Sequence, residues 1–267
     1  DKDEKAYHPY EIGRFAYMPG KTIYCFTVIM EGKAVEVPGL LSKMLESFRK
    51  RNISLVHIKA SRQYEDKPIV LIFFADMTKR LNILGDIVRE LRSVEYVRDV
   101  VVSAPLFDGF ALEKALFPLT LLGERVIIFR RSLYETLFKE LREILGSGYE
   151  SLLYYTGLEM GRKAFRYHYR IAGHDLENII SISEALFRIV GYGILKFINI
   201  DMTSRRGIAR VYHCFECEIF KNSGKPSSHL VRGMIAGWFS ELFGEEVKAL
   251  ETKCIAKGDH YCEMIIS

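Results

Sequence analysis

The chain has 267 residues and a mass of 30.8 kDa, enough for one large domain or two ordinary ones with buried cores, which rules out a peptide fragment. With 49% hydrophobic and 27% charged residues it has the composition of a folded globular protein rather than a disordered or collagen-like chain. The 38 basic and 34 acidic residues leave only +4, spread along the chain, so neither direct nucleic-acid binding nor a polybasic membrane patch is expected.

The first half reads as alternating strand and helix. Ile23 to Met30 is a β-branched and aromatic run, Pro38-Gly39 punctuates it, and Leu40, Leu41, Met44, Leu45 and Phe48 recur at helical spacing. A second strand follows at Ile53 to Ala60. A third, Pro68 to Ala75, is almost wholly apolar and therefore expected in the middle of a sheet. Leu81, Leu84, Val88 and Leu91 share one face of a second helix, and Val97 to Val102 closes a ferredoxin-like βαββαβ unit.

From about Asp108 the pattern changes to longer helices. Leu133, Leu137, Leu141 and Ile144 form one apolar stripe, and a second helix carries Leu152, Leu153, Met160 and Ala164. A third runs from Leu176 to Val190. Strand-like runs at Gly193 to Ile200 and Ile208 to Phe220, a helix from Ser227 to Phe243, and strands at Val247 to Ile255 and His260 to Ile266 complete the chain. The fold class expected is α+β: a tail over 1–16, a βαββαβ domain over 17–107, and over 108–267 a second domain with clustered helices and an antiparallel sheet. No apolar run reaches the roughly 18 residues of a membrane span. No secretory signal is legible, although a start at Asp1 without Met leaves earlier processing open, and five cysteines point away from a secreted disulfide framework, so the expected location is cytoplasmic.

The cysteines hold the densest chemistry. Gly258 and Asp259 supply turn residues between two strands, and Cys254 and Cys262 lie equally far on either side of Gly258, facing each other across a hairpin. Two thiolates so placed can share a zinc ion, remain buried thiols, or form a disulfide. Glu251, an odd number of residues before Cys254, points to the opposite face of a straight strand and joins them only through a bulge or strong twist. Cys214-Phe215-Glu216-Cys217 has C-x2-C spacing, but as a strand it sends its two thiols to opposite faces, and it lacks the glycine or tight turn of a metal knuckle.

Two resemblances add to this. Val35-Glu36-Val37-Pro38-Gly39-Leu40-Leu41, between the first strand and first helix of the βαββαβ unit, resembles the small amino-acid-sensing ACT domains over about Tyr17 to Ala104. The resemblance implies a ligand site at a subunit interface near Gly39, where glycine allows close approach to a helix N-terminus. The C-terminal half, from about Gly123, is similar to the 4-vinyl-reductase-type domains. The similarity rests on Gly157-Leu158-Glu159-Met160-Gly161, on Gly233-Met234-Ile235-Ala236-Gly237, and above all on the string from Glu251 through Cys254 to Cys262. It implies zinc bound by Glu251, Cys254 and Cys262 with an upstream cysteine. That cysteine is replaced here by Ser228, which leaves His229, Cys214 or Cys217 as the fourth donor, His229 being the first choice. It also implies a cavity for an aromatic or other apolar ligand, here assigned to Phe165, Tyr167, His168, Tyr169, His174 and Phe197.

The function expected is therefore a ligand-responsive regulatory or sensor protein. It would form a homodimer and act through a downstream regulatory protein, since no separate helix-turn-helix fits before the first domain. An enzyme acting on a small unsaturated or aromatic compound is the alternative, although no nucleophile elbow, phosphate loop or dinucleotide fingerprint is present and no catalytic residue is assigned. A non-catalytic scaffold resembling vesicle-tethering subunits is the third.

Overall fold

The computed structural model describes residues 8–62 and 67–267 and divides the chain into two compact units, 1–127 and 128–267. The seven N-terminal residues of the expected tail lie outside the described residues. In the first unit, strands β2 (Ile23–Met30), β3 (Leu55–Ser61), β4 (Ile69–Asp76) and β5 (Val97–Ser103) form an antiparallel sheet in the order β3-β4-β2-β5, with helices α1 (Leu40–Arg49) and α2 (Leu84–Ser93) as its crossovers. This is the ferredoxin-like order, with the apolar run at 68–75 in the interior of the sheet as its composition requires.

The strands read as nearly continuous hydrophobics because both faces of the sheet are covered. On β2, Phe26, Val28 and Met30 face the helices with Phe48, Phe73, Ile87 and Leu91, while Ile23 and Cys25 face the other way with Ile72 and Phe74. That second face is covered by a two-stranded ribbon, β1 (Phe15–Tyr17) paired with β6 (Phe110–Leu112). Buried Glu113 fastens the ribbon. Its carboxylate pairs with Arg14 at 2.7 Å and accepts the Thr27 hydroxyl and the Leu116 backbone N–H. The first unit therefore runs past residue 107 to Ile127, taking in β6 and the small hairpin β7 (Thr120–Leu121) and β8 (Glu124–Arg125), and part of the expected tail is strand.

In the second unit, α3 (Arg131–Glu135) and α4 (Leu141–Leu145) are joined by a π turn at Thr136–Glu140. The expected stripe is largely exposed, with Leu133 at 53% and Ile144 at 74%; Tyr134 and Phe138 turn inward instead, edge-on to Phe215. A π turn shifts the phase of the face, which a uniform 3.6-residue period does not anticipate. The long α5 (Ser147–Ala172) and α6 (Leu176–Ile189), capped by the Asp175 carboxylate, lead into an antiparallel sheet ordered β11-β12-β10-β9, formed by β9 (Ile194–Asp201), β10 (Arg206–Tyr212), β11 (Ala249–Lys253) and β12 (Cys262–Ile266). Between β10 and β11 lie the short α7 (Phe215–Ile219) and α8 (His229–Phe243), the latter buried along most of its length.

The contact between α5 and α8 is made without side chains. A Cβ placed on Gly157 or Gly161 would overlap the carbonyl oxygens of Leu230 and Met234, and one on Gly233 or Gly237 would overlap those of Tyr154 and Leu158. Each glycine pair thus seats the backbone of the other helix, the close approach that small residues four apart permit. Because the obstructing atoms are helix backbone on both sides, the structure has no flexible side chain to move aside. Gly161→Ala and Gly237→Ala are each expected to lower the unfolding free energy of the second unit by about 3 kcal/mol, the upper end of overpacking costs. Urea unfolding followed by the fluorescence of Trp238, the chain's single tryptophan, measures this.

Candidate metal centre and cleft

Strand β10 ends at Tyr212, not at Phe220. His213 takes a positive φ of 50°, the chain turns, and Cys214 becomes the N-cap of α7. The expected strand is thus broken by a histidine in the left-handed region, which supplies the tight turn that the sequence lacked in glycine form. In a helix the C-x2-C spacing puts both thiols on one side rather than on opposite faces. Phe215 anchors the helix among Tyr134, Phe138 and Tyr192. Glu216, fully buried, accepts the backbone N–H groups of Leu230 and Val231 at 3.0 and 2.9 Å, so its carboxylate caps α8 from a neighbouring element. Burial pushes its pKa up to about 8 against the pull of those two N–H groups.

The terminal hairpin meets α7 at this point. Glu251 pairs with Met264 and Lys253 with Glu263, so Thr252 is an extra residue and the register shifts between them. This bulge turns Glu251 to the side of Cys254, as its participation requires. A 3-10 turn at Ile255–Lys257 and Gly258 at φ 105° close the loop, tied by Asp259, whose carboxylate accepts the Cys254 N–H at 2.8 Å.

Ligand atoms of Cys217, Glu251, Cys254 and Cys262 all lie within 4.8 Å of one another. The Cys254 and Cys217 sulfurs are 3.6 Å apart, close to the ~3.8 Å edge of a tetrahedron with zinc–sulfur bonds of ~2.3 Å. All five cysteines are free thiols, so Cys254 and Cys262 are not a disulfide, and the Ile255 N–H donates to the Cys262 sulfur at 3.5 Å. Glu251 Oε1 is buried without a hydrogen-bond partner, as is the hydroxyl of Ser228 at the start of α8. Burial, reinforced by Cys254, pushes the Glu251 pKa up to about 8. An orphaned carboxylate oxygen among three buried thiols fits a divalent cation, which would satisfy it and neutralise the thiolates. His229, the first choice for fourth donor, is turned away: its Nε2 accepts from Arg142 at 2.6 Å and lies 3.6 Å from Glu150, and Cys217 stands in the group instead.

The expected ligand residues divide in two. Phe165, Tyr169 and His174 line a cleft of about 470 Å³ with Leu176, Ile179, Met202 and Leu242. Its polar edge is the two-pronged pair of Arg166 with Glu241, both contacts at 2.8 Å, and the Tyr169 hydroxyl bonded to His174 Nδ1 at 2.8 Å. Phe197 stands behind it, stacked on Trp238 at 4.3 Å, and Trp238 meets Phe165 edge-on. Tyr167 lies under the Arg170 guanidinium. His168 is buried, and Ser183 explains its state. Ser183 donates to the Ile179 carbonyl and accepts the Trp238 indole N–H, so its remaining lone pair accepts a proton from His168 Nδ1. Arg166, Glu241 and Ser183 carry no sequence signal of their own; they join these sites through helix packing. In the first unit, Gly39 is the N-cap of α1 at φ 82°, with nothing within 4 Å of the position a Cβ would take.

Residues 208–267 match the family model of the 4-vinyl-reductase (V-4-R) domain, so the C-terminal part of the chain carries a domain of this type. Over 121 residues, 45% of this chain and 66% of the relative, the sequence is 28% identical to an uncharacterized protein of Methanocaldococcus jannaschii, and over 127 residues it is 28% identical to a second from the same organism, of which 69% is covered. The chain thus spans just under two thirds of the first relative. The fold of the phenol-responsive sensory domain of the transcription activator PoxR with phenol aligns over 55% of this chain and 78% of that one, at 20% identity and a TM-score of 0.49. No helix among the described residues is long and apolar enough to cross a membrane.

Burial pulls the pKa of His168 down to about 4, and burial with the Arg142 charge pulls that of His229 down to about 4. Both stay neutral in the folded chain and take a proton in the unfolded chain below about 6.5, so the stability they contribute is complete above that pH and lost as pH falls toward 4. Stability of the second unit is expected to drop over pH 6.5 to 4 by about 3 kcal/mol for each histidine. His168→Gln should remove about half of that slope in denaturant titrations at stepped pH.

Proposed function

We propose that the second unit is a ligand-responsive regulatory domain. It takes a small apolar or aromatic molecule in the cleft between α5, α6 and α8 and a structural zinc ion at Cys217, Glu251, Cys254 and Cys262. The observation that carries the reading is the cleft itself: an apolar wall with two polar pairs at its edge, of the size and character of small-molecule sites. The aromatic ring of Phe165 forms part of this wall and touches Trp238, so an occupant reaches the packing of α8 through one side chain.

Zinc, when bound, supplies a cross-link and positive charge. The chain's residues do the rest: Glu216 holds α7 against α8, the bulge at Thr252 presents Glu251, and the Asp259 turn presents Cys254 beside Cys262. The first unit serves in this reading as an ACT-type regulatory module. Two copies would pair through exposed strand edges, with Gly39 near a ligand's anionic group, and the downstream partner would be another protein.

Phenol and longer alkylphenols are expected to change Trp238 fluorescence saturably, and Met202→Arg, which places a charge in the lining, to weaken that binding by at least ~10-fold, a loss of ~1.4 kcal/mol. A flat titration to millimolar ligand would remove the sensor reading. For the ion, elemental analysis of undialysed protein should give one zinc per chain, lost in Cys254→Ser/Cys262→Ser, and chelation should unfold the second unit before the first.

A further inference from the structure

The four-donor group leaves one thiol over. Cys214 is fully buried, stands at the N-cap of α7 three residues before Cys217, and its sulfur hydrogen-bonds with those of Cys217 and Cys262. It therefore touches two of the three thiols of the group. Glu251 is the least firmly held of the four, since it comes from a bulged strand and one of its oxygens has no partner. Five donors crowd a place where a tetrahedral ion accepts four.

We propose that this is a five-donor centre for a thiophilic cation, in which Cys214 and Glu251 compete for the fourth coordination position. This deepens the metal reading of the same site and rests on it. The exchange balances: the Cys214 sulfur bonds to the ion, the Glu251 oxygen leaves it, and the Cys214 proton passes to the released carboxylate. Because one anionic donor replaces another, the net charge of the buried centre is unchanged, and no new ionic desolvation opposes the swap. The backbone also stays in place. Glu216, between the two cysteines, is fixed on the N–H groups of α8, so Cys214 has only to turn about its own Cα–Cβ bond. Which donor wins depends on the ion. Zinc, borderline in softness, takes carboxylate or thiolate, whereas a softer cation favours four sulfurs. The site would thus distinguish cations by the position of Glu251.

X-ray absorption at the metal edge counts sulfur and oxygen neighbours in the intact chain. The zinc form is expected to show three sulfurs and one oxygen, and the cadmium form four sulfurs. Glu251→Ala should hold zinc by four sulfurs with affinity within ~10-fold of the parent, and adding Cys214→Ser should return the count to three and weaken binding by a further ~100-fold. A fourth ligand that stays oxygen in the cadmium form, or a Glu251→Ala variant indifferent to the loss of Cys214, overturns the proposal while leaving the zinc site standing. The cadmium measurement needs no substitution, so it decides the matter even where a variant fails to fold. Failure of the parent chain to take up zinc, cadmium or cobalt overturns this proposal and the metal reading together.

Discussion

The second unit depends on a contact from which side chains are absent. Where α5 crosses α8, two glycines on each helix receive the backbone carbonyls of the other, and a single methyl group at any of the four would overlap a main-chain oxygen. Such a crossing fixes both the separation and the axial register of the two helices, because a shift of one residue along either axis would bring a side chain into the contact. The rest of the unit is placed from this rod pair. Residues on the flanks of α8, among them Trp238 and Phe239, reach α6 and β9, while its N-terminus receives the Glu216 carboxylate.

Much of the architecture is legible without coordinates. The period-2 and period-3.6 patterns place the six elements of the ferredoxin-like sheet, and the continuous apolar run at 68–75 correctly implies an interior strand, since alternation disappears when both faces are covered. The ribbon made by β1 and β6 is not legible. Three-residue strands nearly a hundred residues apart leave no periodicity to find, and only the buried Glu113, an anion that needs Arg14, betrays their union.

At the candidate centre the division is sharper. Cys254, Cys262 and Glu251 follow from spacing and family similarity, and the register shift at Thr252 supplies the bulge that simple alternation demands. Cys217 is harder, because a run rich in β-branched and aromatic residues reads as one strand through Phe220. What breaks it is His213 in the left-handed region, a conformation that local propensity assigns to glycine, asparagine or aspartate first. His229 has the better chemistry for a zinc ligand, but the guanidinium of Arg142, eighty-seven residues distant in sequence, claims its Nε2. Spacing identifies candidate donors; long-range pairing decides which of them are free.

The two sites of the second unit meet on one helix. Glu216 and the thiol group abut the start of α8 at Ser228 to Val231, and the cleft is edged by Glu241 and Leu242 near its end, about 18 Å along the axis at 1.5 Å per residue. Since the glycine crossing lies between them, α8 has little freedom to bend or slide, and a displacement at one end is carried to the other as rigid-body motion rather than absorbed locally. Arg166 on α5 holds Glu241 on α8 across the same crossing, so an occupant that competed for either charge would act on the helix pair directly. A ligand shifts such an element only by its difference in affinity for two positions of the helix. The Arg166–Glu241 pair at the cleft and the Glu251 carboxylate beside Ser228 and the thiols are therefore the two places where that difference can arise.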